Sequence, residues 1–232
     1  MKILQLARLR MLLLLPLAGC IPRGPDPIAP AELGSLSRDT VLEWVAELAL
    51  RSPRIINVRP WRYLNDRGSA SGRGAIRLAP PDSLRFDFRG PFGKSGAAVI
   101  IGRTALWMRP EGDFNSLVRV APVFWAALGH PPAPPIDARI EGLVTDTERV
   151  WRYADGGDTL TFIAEGTPVR RLRGEMRTGG RTIALSEVVF DTINHVPTES
   201  KVEFPLDPAR FSFQIRSVED VDSLAAETWD AP

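Results

Sequence analysis

The sequence predicts a mainly β fold with helices, a curved antiparallel half-barrel of about ten or eleven strands covered by two helices. Three observations carry that expectation. Leu84, Phe86 and Phe88 alternate with Arg85, Asp87 and Arg89, as in a strand with one face buried and one wet. Short β-type runs separated by turn residues recur through the C-terminal half, the spacing of an antiparallel sheet. Only two stretches keep a helical period, one around residue 45 and one around residue 124. A sheet of that many strands curls, and the two helices are then available to cover its open side.

Residues 1–19 read as a signal peptide: Lys2, Arg8 and Arg10 precede a short apolar core at 11–17, too short to span a bilayer. The ending Leu17-Ala18-Gly19-Cys20 resembles the bacterial lipobox, which implies that the thiol of Cys20, the one cysteine in the sequence, is diacylated. Residues 20–36 then form a lipidated, proline-rich tether, with four prolines in the ten residues 21–30. Ile21 follows the cysteine where an aspartate would signal inner-membrane retention, so the lipobox resemblance implies an outer-membrane protein facing the periplasm. A single domain is expected over 37–232.

Within that domain Ser37 can cap a helix whose stripe is Val41, Leu42, Val45, Leu48 and Ala49, with Trp44 at its edge, and Ser52-Pro53 stops it. Residues 55–64 form the first long strand, 68–74 read as a flexible Gly-Ser connection, and 75–78 continue as strand. Pro80-Pro81-Asp82 turns the chain into a hairpin with arms at 84–89 and 97–101. Gly90, Pro91 and Gly93 make its turn and Phe92 stands at its tip. A strand at 104–108 and a turn at 110–113 lead to the second helix, capped by Asn115 or Ser116. It carries Leu117, Val118, Val120, Ala121, Phe124, Trp125 and Leu128, and Pro122 fits only near a first turn. Gly129 and the prolines after it end that helix. Seven further strands follow, at 140–144, 150–153, 160–164, 169–177, 182–190, 201–204 and 211–216.

Charge and composition narrow the function. Without the three basic residues of the leader the chain holds 26 basic and 28 acidic residues, which argues against a nucleic-acid binder. Gly93-Lys94-Ser95 has the tail of a phosphate loop, but Phe88 stands where its first glycine belongs, and Gly68-Ser69-Ala70-Ser71-Gly72 lacks the central serine of a nucleophile elbow. His130 and His195 read as separate surface-loop histidines, so no metal site, cofactor or catalytic set is expected. Arg170, Arg171, Arg173, Arg177 and Arg181 read as a solvated sheet edge or as a docking surface for an acidic partner or anionic headgroups.

The order of elements resembles the LolA/LolB superfamily of lipoprotein-localisation factors, most closely its LolB-type and uncharacterised lipoprotein branches. The resemblance rests on the lipobox, the tether, the hairpin Arg85-Phe86-Asp87-Phe88-Arg89-Gly90-Pro91-Phe92-Gly93 and the helix stop Gly129-His130-Pro131-Pro132. It implies a non-enzymatic outer-membrane lipoprotein whose apolar cavity takes acyl chains or a lipidated client, handed over by a periplasmic carrier protein. It also implies that Phe92, between Pro91 and Gly93, meets the membrane or client. Candidate cavity-lining residues are Trp61, Phe86, Phe88, Trp107, Phe124, Trp125, Trp151 and Phe162. The alternative is a non-catalytic sensor or scaffold module of the envelope with the same fold and a packed interior.

Overall fold

The computed structural model describes residues 27–29, 32–90, 94–111 and 115–231. One antiparallel sheet of thirteen strands, open at both edges, forms the body. Its N-terminal part is a meander of five strands, β2 (Arg54–Asn65), β3 (Gly68–Ala79), β4 (Ser83–Arg89), β5 (Ser95–Ile101) and β6 (Thr104–Arg109). The C-terminal part is a meander of seven: β7 (Ile140–Val144), β8 (Glu148–Asp155), β9 (Asp158–Glu165), β10 (Arg171–Thr178), β11 (Arg181–Phe190), β12 (Pro197–Phe204) and β13 (Ala209–Asp220). Pairing of β13 with β2 joins the two meanders, with Phe213 opposite Trp61, and β1 (Gly34–Ser35) adds two residues outside β7. The strand with no counterpart among the segments read from the sequence is β1, because two residues leave no alternation to read.

Alternation sets the faces. On β4 and β5 the pairs Leu84–Ile100 and Phe86–Ala98 point inward and are buried, while Arg85 lies opposite Val99 on the outer face. The inner face is covered by helices. In α1 (Arg38–Glu47) the Ser37 hydroxyl accepts the Thr40 N–H at 3.1 Å, and Val41, Trp44 and Val45 are buried. Trp44 is not at the edge of the buried stripe: its ring packs 5.8 Å from that of Trp151. The second expected helix is two, α2 (Asn115–Arg119) and α3 (Ala121–Ala127), divided at Val120. Pro122 has no N–H to continue the preceding turn, so the chain starts a new helix around it. Every residue of α3 is buried, as expected of a helix that is apolar all round, and α3 packs on β10, β11 and β12. Gly129 ends it with a φ of +91°, a region that favours glycine.

Two further expectations give way. Residues 68–74 are not a flexible connection but the first half of β3, paired with β2 from Asn65–Gly68 to Trp61–Gly72. The basic group at 170–181 is not a sheet edge, since β10 lies between β9 and β11. Arg173 reaches Glu165 at 2.8 Å and Glu148 at 3.4 Å, Arg171 reaches Glu165 at 3.4 Å, and Arg177 lies 3.6 Å from Glu175 on its own strand, so three of these arginines are matched by carboxylates. Before β1, the N–H of Ile28 donates at 3.4 Å to Glu175, a carboxylate buried on the outer face of β10.

The chain after β13 turns back across the outer face of the N-terminal meander as a strap with a 3-10 turn at Ala226–Trp229. Arg85 donates to the Thr228 carbonyl at 2.8 Å, and the Trp107 indole to the Trp229 carbonyl at 2.8 Å. Beside these anchors Val99 is fully buried on its outward side.

Candidate functional site

At one end of the sheet, on its inner face, a cavity of about 390 Å³ is lined by Trp61, Tyr63, Ala70, Phe86, Phe88, Ser116, Leu117, Phe204 and Phe211. Each wall comes from a strand end. β2 supplies Trp61 and Tyr63, β3 Ala70, β4 Phe86 and Phe88, and the β12–β13 hairpin Phe204 and Phe211, while α2 closes the roof with Ser116 and Leu117. The rings hold one another: Phe88 stands edge-on to Trp61 at 5.6 Å, and Phe86 packs 5.8 Å from Phe211. The Trp61 N–H is satisfied by the Arg73 carbonyl at 3.1 Å, so its polar atom points away from the cavity.

Glycines make the room. A Cβ on Gly96 would lie 2.3 Å from Phe88, and one on Gly74 would lie 3.0 Å from Phe86, so these rings sit against bare backbone. Among the described residues of the lining, the polar side chains are those of Tyr63 and Ser116. Such a site can hold a hydrocarbon chain, and none of its described lining residues is charged.

Of the candidate cavity residues, Trp61, Phe86 and Phe88 stand on these walls. Phe124, Trp125, Trp151 and Phe162 are packed in the core under the helices, each less than a tenth exposed, because α1 and α3 fill the inner face there. Trp107 lies on the outer face, where Arg85 stacks over its ring at 5.3 Å. Cys20, Pro91, Phe92 and Gly93 lie outside the described residues. The two flanks of the hairpin tip are fixed by the Gly90 N–H, which donates to the Lys94 carbonyl at 2.7 Å. Tyr63, Ala70, Phe204 and Phe211 were not among the candidates; the alternation of Phe211 and Phe213 was their one legible signal, and Ala70 was hidden in the stretch read as a connection.

His130 is not a surface residue. Its Nδ1 donates to the Leu48 carbonyl at 2.6 Å, tying the end of α3 to the end of α1, and Nε2 is buried with no partner among the described residues. Burial lowers its pKa to about 4, so it is neutral at pH 7. The Tyr153 phenol, pushed up by burial, donates to the Pro132 carbonyl at 2.9 Å. His195 is exposed in the β11–β12 loop. Among the described residues no group of three or more His, Cys, Asp or Glu could hold a metal ion, and no helix is long and apolar enough to cross a membrane.

The architecture is similar to that of a LolA superfamily protein from Nitrosomonas europaea, with a TM-score of 0.59 at 13% identity over 85% of this chain and 99% of that one. The fold is LolA/LolB-like. Two other solved structures overlap it more loosely: a DUF1329 family protein from Desulfovibrio piger (TM-score 0.48, 10% identity, 83% of this chain and 95% of that one) and an outer-membrane lipoprotein-sorting protein domain from Vibrio parahaemolyticus (0.46, 7%, 84% and 97%). No family model and no curated protein matches the sequence. The cavity therefore lies between the inner face of a LolA/LolB-like sheet and the first helix of its broken pair.

Proposed function

We propose that this protein is an outer-membrane lipoprotein, anchored through Cys20, that takes an acyl chain or a lipidated client into the cavity beneath α2. The observation that carries this reading is the aromatic-walled cavity of about 390 Å³, a size within the usual range of small-molecule sites. Each methylene moved from water into such walls contributes about 0.8 kcal/mol, so the walls favour a hydrocarbon chain over a polar ligand. The LolA/LolB-like fold supports the same reading, as does the lipobox at Leu17 to Cys20. Phe92 is the proposed contact through which client or chain passes to the membrane, and a periplasmic carrier protein is the proposed donor.

The test is displacement of a fluorescent fatty acid from the purified protein. Ala70→Trp places a large ring in the cavity and should abolish binding while the β-sheet circular dichroism is unchanged. Absence of binding by the unsubstituted protein, with defined protein partners recovered instead, would favour an envelope scaffold.

A further inference from the structure

The outer face at the cavity end of the sheet carries a second hollow, a groove of about 1150 Å³ lined, among the described residues, by seven arginines and two carboxylates. Its floor is small, made by Gly74, Ala75, Gly96 and Ala97, and the strap forms one side through Ala225, Glu227 and Thr228. Phe88 is the wall shared with the apolar cavity.

Two pairs of arginines face each other across β3 and β4 in this groove, and they differ in one respect. Arg77 is opposite Arg85, and Asp87 accepts from both. Arg73 is opposite Arg89, and neither side chain has an ion pair or hydrogen bond among the described residues. Like charges placed directly opposite destabilise a sheet unless something neutralises them. Arg59 and Arg216, also without side-chain partners among the described residues, extend the row onto β2 and β13. Both sit where the register between those strands slips, at Val58–Trp61 and at Ile215–Ser217. Bulges of this kind re-aim side chains and concentrate next to functional sites.

We infer that Arg59, Arg73, Arg89 and Arg216 form a binding site for a phosphate-bearing anion. A tetrahedral phosphate offers several oxygens to more than one guanidinium, each able to bind it bidentately, whereas a peptide carboxylate is flat and singly charged. Neighbouring strands lie about 4.8 Å apart, so a diphosphate spans two arginines of the row. The strap limits the groove on one side: Arg85 is already committed to its carbonyls and to Asp87, and Glu227 repels anions at that rim. The site is separate from the apolar cavity and does not depend on what the cavity takes.

The experiment is titration calorimetry of the full chain with inorganic pyrophosphate, and co-sedimentation with phosphatidylcholine vesicles containing or lacking phosphatidylglycerol. Binding of pyrophosphate should weaken at least about tenfold in Arg73→Gln/Arg89→Gln and should be unchanged in Arg181→Gln, a remote arginine. A preference for phosphatidylglycerol lost in the double variant assigns the phosphate to a lipid headgroup, and pyrophosphate binding without that preference assigns it to a soluble ligand. The double variant should melt no lower than the parent, because it removes a repulsion; this separates loss of a ligand from loss of structure. The inference is overturned by absence of pyrophosphate binding, by binding that survives the double substitution, or by equal competition from polyglutamate.

Discussion

The indole N–H of Trp61 donates to the carbonyl of Arg73, so the ring that walls the apolar cavity is held by the residue whose side chain stands in the arginine groove on the opposite face. The bond exists because the ladder between β2 and β3 slips between Val58 and Trp61, leaving that stretch of backbone without its regular partner. Trp61→Phe keeps an aromatic wall but leaves the carbonyl short of a donor, and should cost about 1–2 kcal/mol in urea denaturation. Trp61→Ala removes the wall as well and should cost about 3–5 kcal/mol.

Gly96 should not tolerate a side chain. An added Cβ would lie 2.3 Å from the Phe88 ring and 2.6 Å from the Arg109 carbonyl, and the second contact is backbone that cannot swing away. Gly96→Ala should lower stability by about 1–3 kcal/mol and weaken fatty-acid binding, since Phe88 can yield only toward the cavity. Denaturation and probe displacement on the same variant check both effects.

Acid should weaken the fold through His130. Its pKa is lowered from 6.5 to about 4, chiefly by burial, with Arg54 adding to the shift and the Leu48 hydrogen bond and Asp220 opposing it. The unfolded chain therefore takes up a proton below about pH 6.5 that the folded chain refuses until about pH 4. Stability should fall by about 3 kcal/mol across that window. His130→Gln, which keeps a donor for Leu48, should flatten this slope in denaturation curves taken from pH 7 to pH 4. Asp220, held below the usual carboxylate range by its hydrogen bond to Arg54, loses its contribution only at lower pH still.

Phe92→Glu should leave folding and fatty-acid binding intact while reducing delivery of a lipidated client to vesicles. A variant that delivers at the parental rate removes Phe92 from the transfer step. The measurement is the amount of lipopeptide recovered with the vesicles after incubation.

Elements whose chemistry is local were legible in the sequence. The alternation from Leu84 to Arg89 gave the face of β4, and Ser37 gave the start of α1, because each depends on neighbours in the chain. Gly68 to Gly74 misled because Gly and Ser favour turns, whereas here their small size lets Trp61 and Phe86 lie against the strand. That is a tertiary demand overriding local propensity. The cavity was half legible for a related reason: aromatic residues mark a core, and only packing of α1 and α3 decides which of them are left without cover. The arginine row was not legible at all, since its members come from four strands and share a groove only after β13 has closed on β2.

That closure has a consequence for how the molecule is made. Hairpins within each meander can form as soon as their own residues are free, but β2 finds its second partner only in the last strand of the sheet. Until then β2 is a twelve-residue unpaired edge bearing Ile56, Val58 and Trp61, side chains that end up almost wholly buried. That pairing joins residues as far apart as Arg54 and Asp220, a separation whose closure is expected to be slow and to leave the edge open to aggregation in the meantime. Any helper that shields an apolar strand edge during folding would act on β2, and C-terminal truncations that remove β13 would leave the same edge open for good.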